Sequence, residues 1–424
     1  MSKISNVKAI QVFDSRGIPT ISCKISLDDG TSAIAMVPSG ASTGSKEAIE
    51  LRDGGEDYHG KSVFKAVSNI NEKLSSLIIG KDPSNQNEID KTLIEFDGTS
   101  NKSIMGANAI LAISIGIAKA ASKNQKIPLY EHFSNIYKDI TNDSIDPIMP
   151  MPMFNILNGG EHSNNNIDIQ EFMIIPSGAK SFKEAMQWSV EIYHNLKTIL
   201  SSNGHSIAVG DEGGFAPSLE SNEEAIKLII QAIKNSNLEL KKDINIALDC
   251  AASEFFDGKN YLMKGENKNF TSSELVSYLG ELVDKYPITS IEDGMDENDH
   301  DGWKLLTSQL GDKCQLVGDD LFVTNKVILE EGVKENIANS ILIKFNQIGS
   351  LTETIETIDY AKKNNFQPIV SHRSGETEDT TISDLAVGLG INQIKTGAPC
   401  RSDRIAKYNR LLWIEEESSD ILLK

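Results

Sequence analysis

Residues 341–349, ILIKFNQIG, read as a strand with a lysine in its middle. Successive side chains on a strand point to opposite faces, so Leu342 and Lys344 share one face while Ile341, Ile343 and Phe345 share the other. If both faces are covered the ammonium is buried, and burial without a partner depresses a lysine pKa by as much as roughly 3 to 5 units. Such a lysine can serve as a base. On an edge strand the same side chain would reach water, and the stretch by itself leaves both readings open.

Its surroundings favour a covered strand. INIALD ends at Asp249, ITSIED carries Glu292, QLVGDD carries Asp319, PIVSHRS carries His372 and Arg373, and NQIKTG holds Lys395. After a first gap of 43 residues these polar strand ends recur every 23 to 28 residues, mostly the length of one βα unit. Helical patterns fill the gaps, several opened by a capping pair: Ser221 with Glu224, Thr271 with Glu274, and Ser350 with Glu353. A chain of βα units with ionisable residues at the carboxyl ends of its strands predicts an α/β barrel with its active site at that face. A doubly wound sheet is the alternative, but no G-x-G-x-x-G follows the first strand to support it.

The amino-terminal part has a different texture. NVKAIQVFDSRG, PTISCKISLDDG and TSAIAMVPSG read as a three-stranded meander, with Asp29-Gly30 as the hairpin signal between the second and third strands. Helical patterns follow around 61–79, 86–96 and 105–123, and TNDSIDPIMPMP (141–152) reads as an exit linker. The expected architecture is an N-terminal α+β domain over 1–140, a meander plus helices, then the α/β barrel over 141–424.

A chain of 424 residues with net charge -20 and pI near 4.8 lacks the basic face that a nonspecific nucleic-acid binder needs. Cys23, Cys250, Cys314 and Cys400 form no C-x-x-C pair, which argues against a disulfide framework or zinc ribbon and for a reducing, cytoplasmic compartment. The opening MSKISNVKAIQVFDSRG has no apolar core of the signal-peptide kind. IMGANAILAISIGIAKAA (104–121) is interrupted by Asn108, Ser114 and Lys119, so a buried helix is expected there and not a membrane span.

In such a barrel Asp249, Glu292 and Asp319 meet on one rim. Three clustered carboxylates repel one another unless a cation joins them, and an all-oxygen set suits Mg²⁺. Lys344, Lys395, Arg373 and His372 surround them in a markedly acidic protein, a combination that points to a small anionic substrate bound through metal.

The sequence also resembles the enolase family along essentially its whole length. The motifs that carry the resemblance are VPSGASTG (37–44), NGGEHSNNNIDIQEFM (158–173), VGDEGGFAP (209–217), ALDCAASEF (247–255), SIEDGMDEND (290–299), GDDLFVTN (318–325), IKFNQIGSLTET (343–354), SHRSGETEDTTISDLAVG (371–388) and QIKTGAPCRSDRIAKYNRLL (393–412). GGEHSNNN and SIEDGMDEND are closer to bacterial members than to animal ones.

The resemblance implies reversible dehydration of 2-phosphoglycerate to phosphoenolpyruvate with two Mg²⁺ ions, in a homodimer or larger homo-oligomer. Asp249, Glu292 and Asp319 match the first metal's ligands, and Ser39, in the mobile loop, matches a ligand of the second. Lys344 matches the base that removes the C2 proton and Glu212 the acid that protonates the leaving hydroxide. Glu171 and His162 match residues lining the acid side, Arg373 and Ser374 the phosphate binders, and Lys395 and His372 other substrate contacts. This chemistry implies a lowered pKa for Lys344, beside Lys395 and the metal ions, and a raised one for Glu212, from burial and neighbours such as Glu171.

Other readings compete. GASTG (40–44) has the form of a hydrolase nucleophile elbow around Ser42, but Pro38 and the preceding meander are the wrong context. The segment fits neither a P-loop's spacing nor its residue order, and reads better as a mobile lid. Another superfamily member acting on a different carboxylate would share the barrel and the carboxylates, with little use for SHRSGE or the lid. A scaffold or surface-binding role is the third reading, with secondary protein partners and Lys424 as a terminal lysine that some receptors read.

Departures from the family pattern cluster near the ends. Ile10, Ile18 and Ser22 stand where Arg, Asn and Glu are usual, Trp413 stands for an Arg, and His300 for a Trp. In the family several of these charged positions pair across a dimer seam, so the expectation is a dimer with a more apolar seam.

Overall fold

The computed structural model describes residues 2–41, 43–418 and 420–423, so Ser42 and Lys424 lie outside the described residues. β1 (Ile4–Phe13), β2 (Pro19–Leu27) and β3 (Ser32–Met36) form an antiparallel sheet in that order. The β2–β3 turn holds Gly30 at φ +88°, a left-handed conformation that costs a glycine little. A helical run over 64–78 follows, then helices Gln86–Asp97, Ala107–Gln125 and Leu129–Thr141. Ala107–Gln125 packs on β2 and β3 and is buried on nearly every side, which explains its unbroken apolar run. Among the described residues no helix is long and apolar enough to cross a membrane.

The rest of the chain is built around β4 (Met151–Asn158), β5 (Glu171–Ile175), β6 (Asn245–Asp249), the hairpin β7 (Tyr261–Met263) and β8 (Lys268–Phe270), β9 (Ile288–Glu292), β10 (Gln315–Gly318), β11 (Ser340–Ile343), β12 (Gln367–Ser371) and β13 (Gln393–Lys395). Eight of them close into a barrel in the order β10-β11-β12-β13-β4-β5-β6-β9. β5 runs antiparallel to both neighbours, and every other pair is parallel. The barrel therefore does not open with βα units: β4 leads directly to β5, and helices Phe182–Ser202 and Asn222–Asn235 both precede β6.

Two sequence expectations need correction. Met151 and Pro152, read as the end of a linker, begin β4, whose every residue is buried. A strand covered on both faces shows no alternation, and Pro152 disguises it further. The strand read over 341–349 ends at Ile343: Lys344 is the first residue beyond it, and Phe345–Ile348 is a short helical turn. The caps fare better. Thr271 and Glu274 make a complete capping box, and the Ser221 and Ser350 side chains accept from the backbone N–H of Glu224 and Glu353.

The barrel interior is layered. At the amino-terminal end Gln315 Nε2 donates to the side-chain oxygens of Gln367 and Gln393 at 3.0 and 2.8 Å. Above them Met153, Met173, Ala247, Val317, Leu342 and Ile369 pack into an apolar plug. This plug is the floor of the site.

Candidate active site

Period-two geometry carries each strand from the plug to the mouth. Two residues beyond Met153, Ala247, Val317, Leu342 and Ile369 stand Asn155, Asp249, Asp319, Lys344 and Ser371. On the reversed β5 the count runs backwards, so Glu171, two residues before Met173, reaches the same rim. The register confirms the layer: Glu171 lies opposite Asp249, and Asp249 opposite Glu292.

A small cavity of about 20 Å³ opens at this level, lined by Lys344, Lys395, Asp249, Asp319, Glu171, Glu212, His162, His372, Arg373 and Ser374, together with Gln170 and Ser371. Ten of the twelve residues singled out from the sequence thus face one space. Glu292 lies just behind, on Lys395. Ser39 is held elsewhere: its Oγ donates to Glu50 Oε2 at 2.9 Å and accepts from Arg52 Nη2 at 3.0 Å. A larger open groove between residues 160–168 and 254–265 is lined by four carboxylates and Lys264 but by no arginine or histidine.

One wall of the cavity is held by ammonium groups. Lys395 Nζ donates to Asp249 Oδ2 at 2.9 Å and to both Glu292 oxygens at 2.8 Å, and lies 3.2 Å from Glu171 Oε2. Lys344 Nζ is paired with Asp319 Oδ2, whose other oxygen accepts from Gln347 Nε2 at 2.8 Å. Burial is the largest influence on the Lys344 pKa and pulls it down, but Asp319 at contact, with Glu292 behind it, turns the net direction up. This reverses the lowered pKa expected from sequence, which supposes that Asp319 is engaged by metal and not by the ammonium. The same pair draws Asp319 down against the upward pull of its burial, whereas burial and Asp249 push Glu292 well above the usual carboxylate range.

The other wall is held by imidazoles. His162 Nδ1 lies 3.3 Å from Glu171 Oε1 and its Nε2 lies 3.6 Å from Glu212 Oε1, while His372 Nε2 lies 3.2 Å from Glu212 Oε2. Burial and the neighbouring Glu212 push Glu171 up to about 7. Glu212 goes the other way: burial raises it, but His162, His372 and Arg404 together bring it well below the usual carboxylate range. The expected raised pKa for Glu212 is therefore corrected, because the sequence does not reveal how many cationic and hydrogen-bonding groups converge on it.

The segment 372–374 forms a third side. Arg373 makes a two-pronged pair with Glu47, Nη1 to Oε2 at 3.0 Å and Nη2 to Oε1 at 3.1 Å, and also donates to Asn346 Oδ1 at 3.2 Å. Ser374 Oγ is 3.2 Å from His162 Nε2.

A model of the enolase N-terminal domain matches residues 4–133, and one of the enolase C-terminal TIM barrel domain matches residues 146–422. The chain belongs to the enolase family. As an enolase-family lyase it acts on a small-molecule substrate with a divalent metal ion. The residues present fit such an ion. Asp249 and Glu292 converge on one cationic centre, now the Lys395 ammonium, and Asp319 lies on the same rim. All three offer hard oxygen donors, and Gln170 Oε1 beside them is buried without a hydrogen-bond partner among the described residues. Asp293, Asp319 and Asp320 also cluster, but Asp293 spends its oxygens on the backbone N–H groups of Asp319 and Asp320, both at 2.9 Å.

Sequence reasoning missed several contributors to this enolase site. Asn155, whose Nδ2 donates to Glu212 Oε2 at 3.1 Å, would have followed from the period-two rule had β4 been recognised. Gln170 sits in a quoted motif but carries no charge to draw notice. Glu47 and Arg404 reach the site from a loop and a helix, with no local signal in the sequence.

Proposed function

We propose that this enolase-family lyase catalyses the reversible, Mg²⁺-dependent dehydration of 2-phospho-D-glycerate to phosphoenolpyruvate, with 1–140 as a capping domain and 141–424 as the catalytic barrel domain. The observation that carries this reading is the convergence of a lysine, a glutamate flanked by two imidazoles, metal-type carboxylates and the Arg373–Ser374 pair on one small cavity.

A proton beside a carboxylate is weakly acidic because its removal adds charge to an anion, and enolase-superfamily sites meet this with a Lys or His base and one or two Mg²⁺ ions, a case the general rules of acid-base catalysis already name. Asp249, Glu292 and Asp319, joined on lid closure by Ser39, would hold the two Mg²⁺ ions, whose charge would offset that of the anion. Lys344 Nζ then takes the C2 proton. Lys395 stays beside the substrate carboxylate, and Arg373 with Ser374 binds the phosphate in place of Glu47.

At the far wall Glu212 protonates the leaving C3 hydroxide. It is anionic in the present arrangement, so it gains a proton before it donates one; His162 beside it keeps its own, because Glu212 and Glu171 together outweigh burial and hold its pKa at about 9.

A homodimer and a cytoplasmic location complete the proposal. Ile10, Phe13 and Trp413 are 55%, 51% and 62% exposed on β1 and the last helix, which supports an apolar seam. The four cysteines are free thiols, in keeping with a reducing compartment.

The test follows enol absorbance when the purified protein meets 2-phosphoglycerate, with Mg²⁺ or with chelator. The expected result is turnover that requires the metal. Metal-dependent binding without turnover would move the scaffold reading to the front.

A further inference from the structure

Arg404 lies in the helix Ser402–Glu417 and is fully buried. Its Nη1 is 2.6 Å from His372 Nδ1 and also donates to the Arg373 carbonyl. Nη2 donates to the Ser374 carbonyl and, at 3.2 Å, to that of Asp211, the residue before Glu212. Its Nε lies 2.8 Å from Asp403 Oδ2. Room for this stem depends on Gly397, where a Cβ would stand 2.8 Å from both Arg404 Cδ and the Glu212 carbonyl.

A guanidinium has five N–H donors, no acceptor, and does not lose its proton in proteins. His372 Nδ1, facing it, is therefore the bare acceptor of a neutral ring, and the ring proton lies on Nε2, 3.2 Å from Glu212 Oε2. We infer that Arg404 is a positioning residue: one guanidinium fixes the His372 tautomer that keeps the ring proton on Nε2, the nitrogen beside Glu212, and ties the segment carrying Arg373 and Ser374 to the segment carrying Glu212. The inference rests on the reaction proposed above for its kinetic consequence, not for the tautomer. The neutral state of His372 agrees: burial, with Arg404 at contact, brings it down to about 3 despite Glu212.

A lysine in this place would keep the charge but lose the planar fork, and a methionine would lose both. The test uses the full chain, labelled with ¹⁵N at histidine, with the His372 signal assigned by its loss in His372→Asn. Expected in the unmodified protein is a ring with Nε2 protonated and Nδ1 bare. In Arg404→Met the proton shifts to Nδ1 or exchanges between the two, and kcat for 2-phosphoglycerate falls about tenfold or more while KM changes less than about threefold. Arg404→Lys falls between the two proteins on both readouts.

An unchanged tautomer with kcat within about twofold of the parent, in either folded variant, would overturn the inference. Should Arg404→Met not fold, as circular dichroism would report, Arg404→Lys carries the same two readouts. No turnover in the unmodified protein would overturn the reaction reading, and the tautomer alone would then decide the role of Arg404.

Discussion

His162 and His372 stand against the two oxygens of Glu212, both buried, and they hold protons in opposite ways. His162 is pushed up to about 9, because Glu212 and Glu171 outweigh its burial. His372 is brought down to about 3, because burial is joined by the Arg404 guanidinium and only Glu212 opposes them. Burial acts in the same direction on both rings, so the neighbours decide. The same lesson separates Glu171 from Glu212, two fully buried glutamates pushed in opposite directions.

The sharpest way to break this comparison is to remove the group both rings share. Glu212→Gln keeps the shape of the side chain but cannot donate an acidic proton, so kcat for 2-phosphoglycerate should drop by roughly 10²- to 10⁴-fold. Steady-state assays at saturating Mg²⁺ check this, and a loss below tenfold would make Glu212 a bystander.

On the opposite wall the holding charge is an ammonium. Lys395→Met leaves Asp249, Glu292 and Glu171 without their shared cation, and loss of one partner from a buried ion cluster costs roughly 3–5 kcal/mol. The melting temperature in chelator should fall accordingly, and added Mg²⁺ should restore more of it in the variant than in the parent. Equal metal responses would mean that the ion binds away from these carboxylates.

How much of this could be read beforehand differs between the two walls. The carboxylates and lysines at strand ends were legible because a strand's alternation, repeated at βα spacing, brings Asp249, Asp319, Lys344 and Lys395 to one rim. β4 and β5 were not, since Met151–Asn158 is buried throughout and shows no alternation, and nothing local announces that β5 runs backwards. The helix Leu129–Thr141 has a weak local signal because its aromatic-rich, low-propensity sequence follows a proline, although Tyr130, Phe133, Ile136 and Tyr137 trace its buried face. At the imidazole wall the residue identities were legible and their protonation was not. That depends on contacts such as Arg404 to His372, which join segments far apart in the chain.

Stability against pH sharpens the pair. His162 holds in the folded state a proton that an unfolded chain releases near pH 6.5, so its contribution is present below that pH and is lost as pH rises toward about 9. The loss is on the order of 3 kcal/mol. His372 works in reverse: the unfolded chain gains a proton below pH 6.5 that the folded state refuses until about 3, so stability falls as pH drops through that window. Denaturant midpoints should peak between the two limbs. His162→Asn should flatten the alkaline limb, and a limb that persists would assign the effect to another group.

The smallest effect lies outside the site. Ile10→Asp with Trp413→Asp should weaken self-association by about tenfold or more, measured by sedimentation, with the fold retained. Unchanged association would place the seam elsewhere.

The most direct test of the central assignment separates the two proton transfers. Exchange of the C2 hydrogen of 2-phosphoglycerate with solvent deuterium needs the base but not the acid. With Mg²⁺ present, Glu212→Gln should still exchange that hydrogen while making almost no phosphoenolpyruvate, and Lys344→Ala should do neither. Exchange that survives in Lys344→Ala, or vanishes in a folded, metal-binding Glu212→Gln, would contradict the division of labour between the ammonium wall and the imidazole wall.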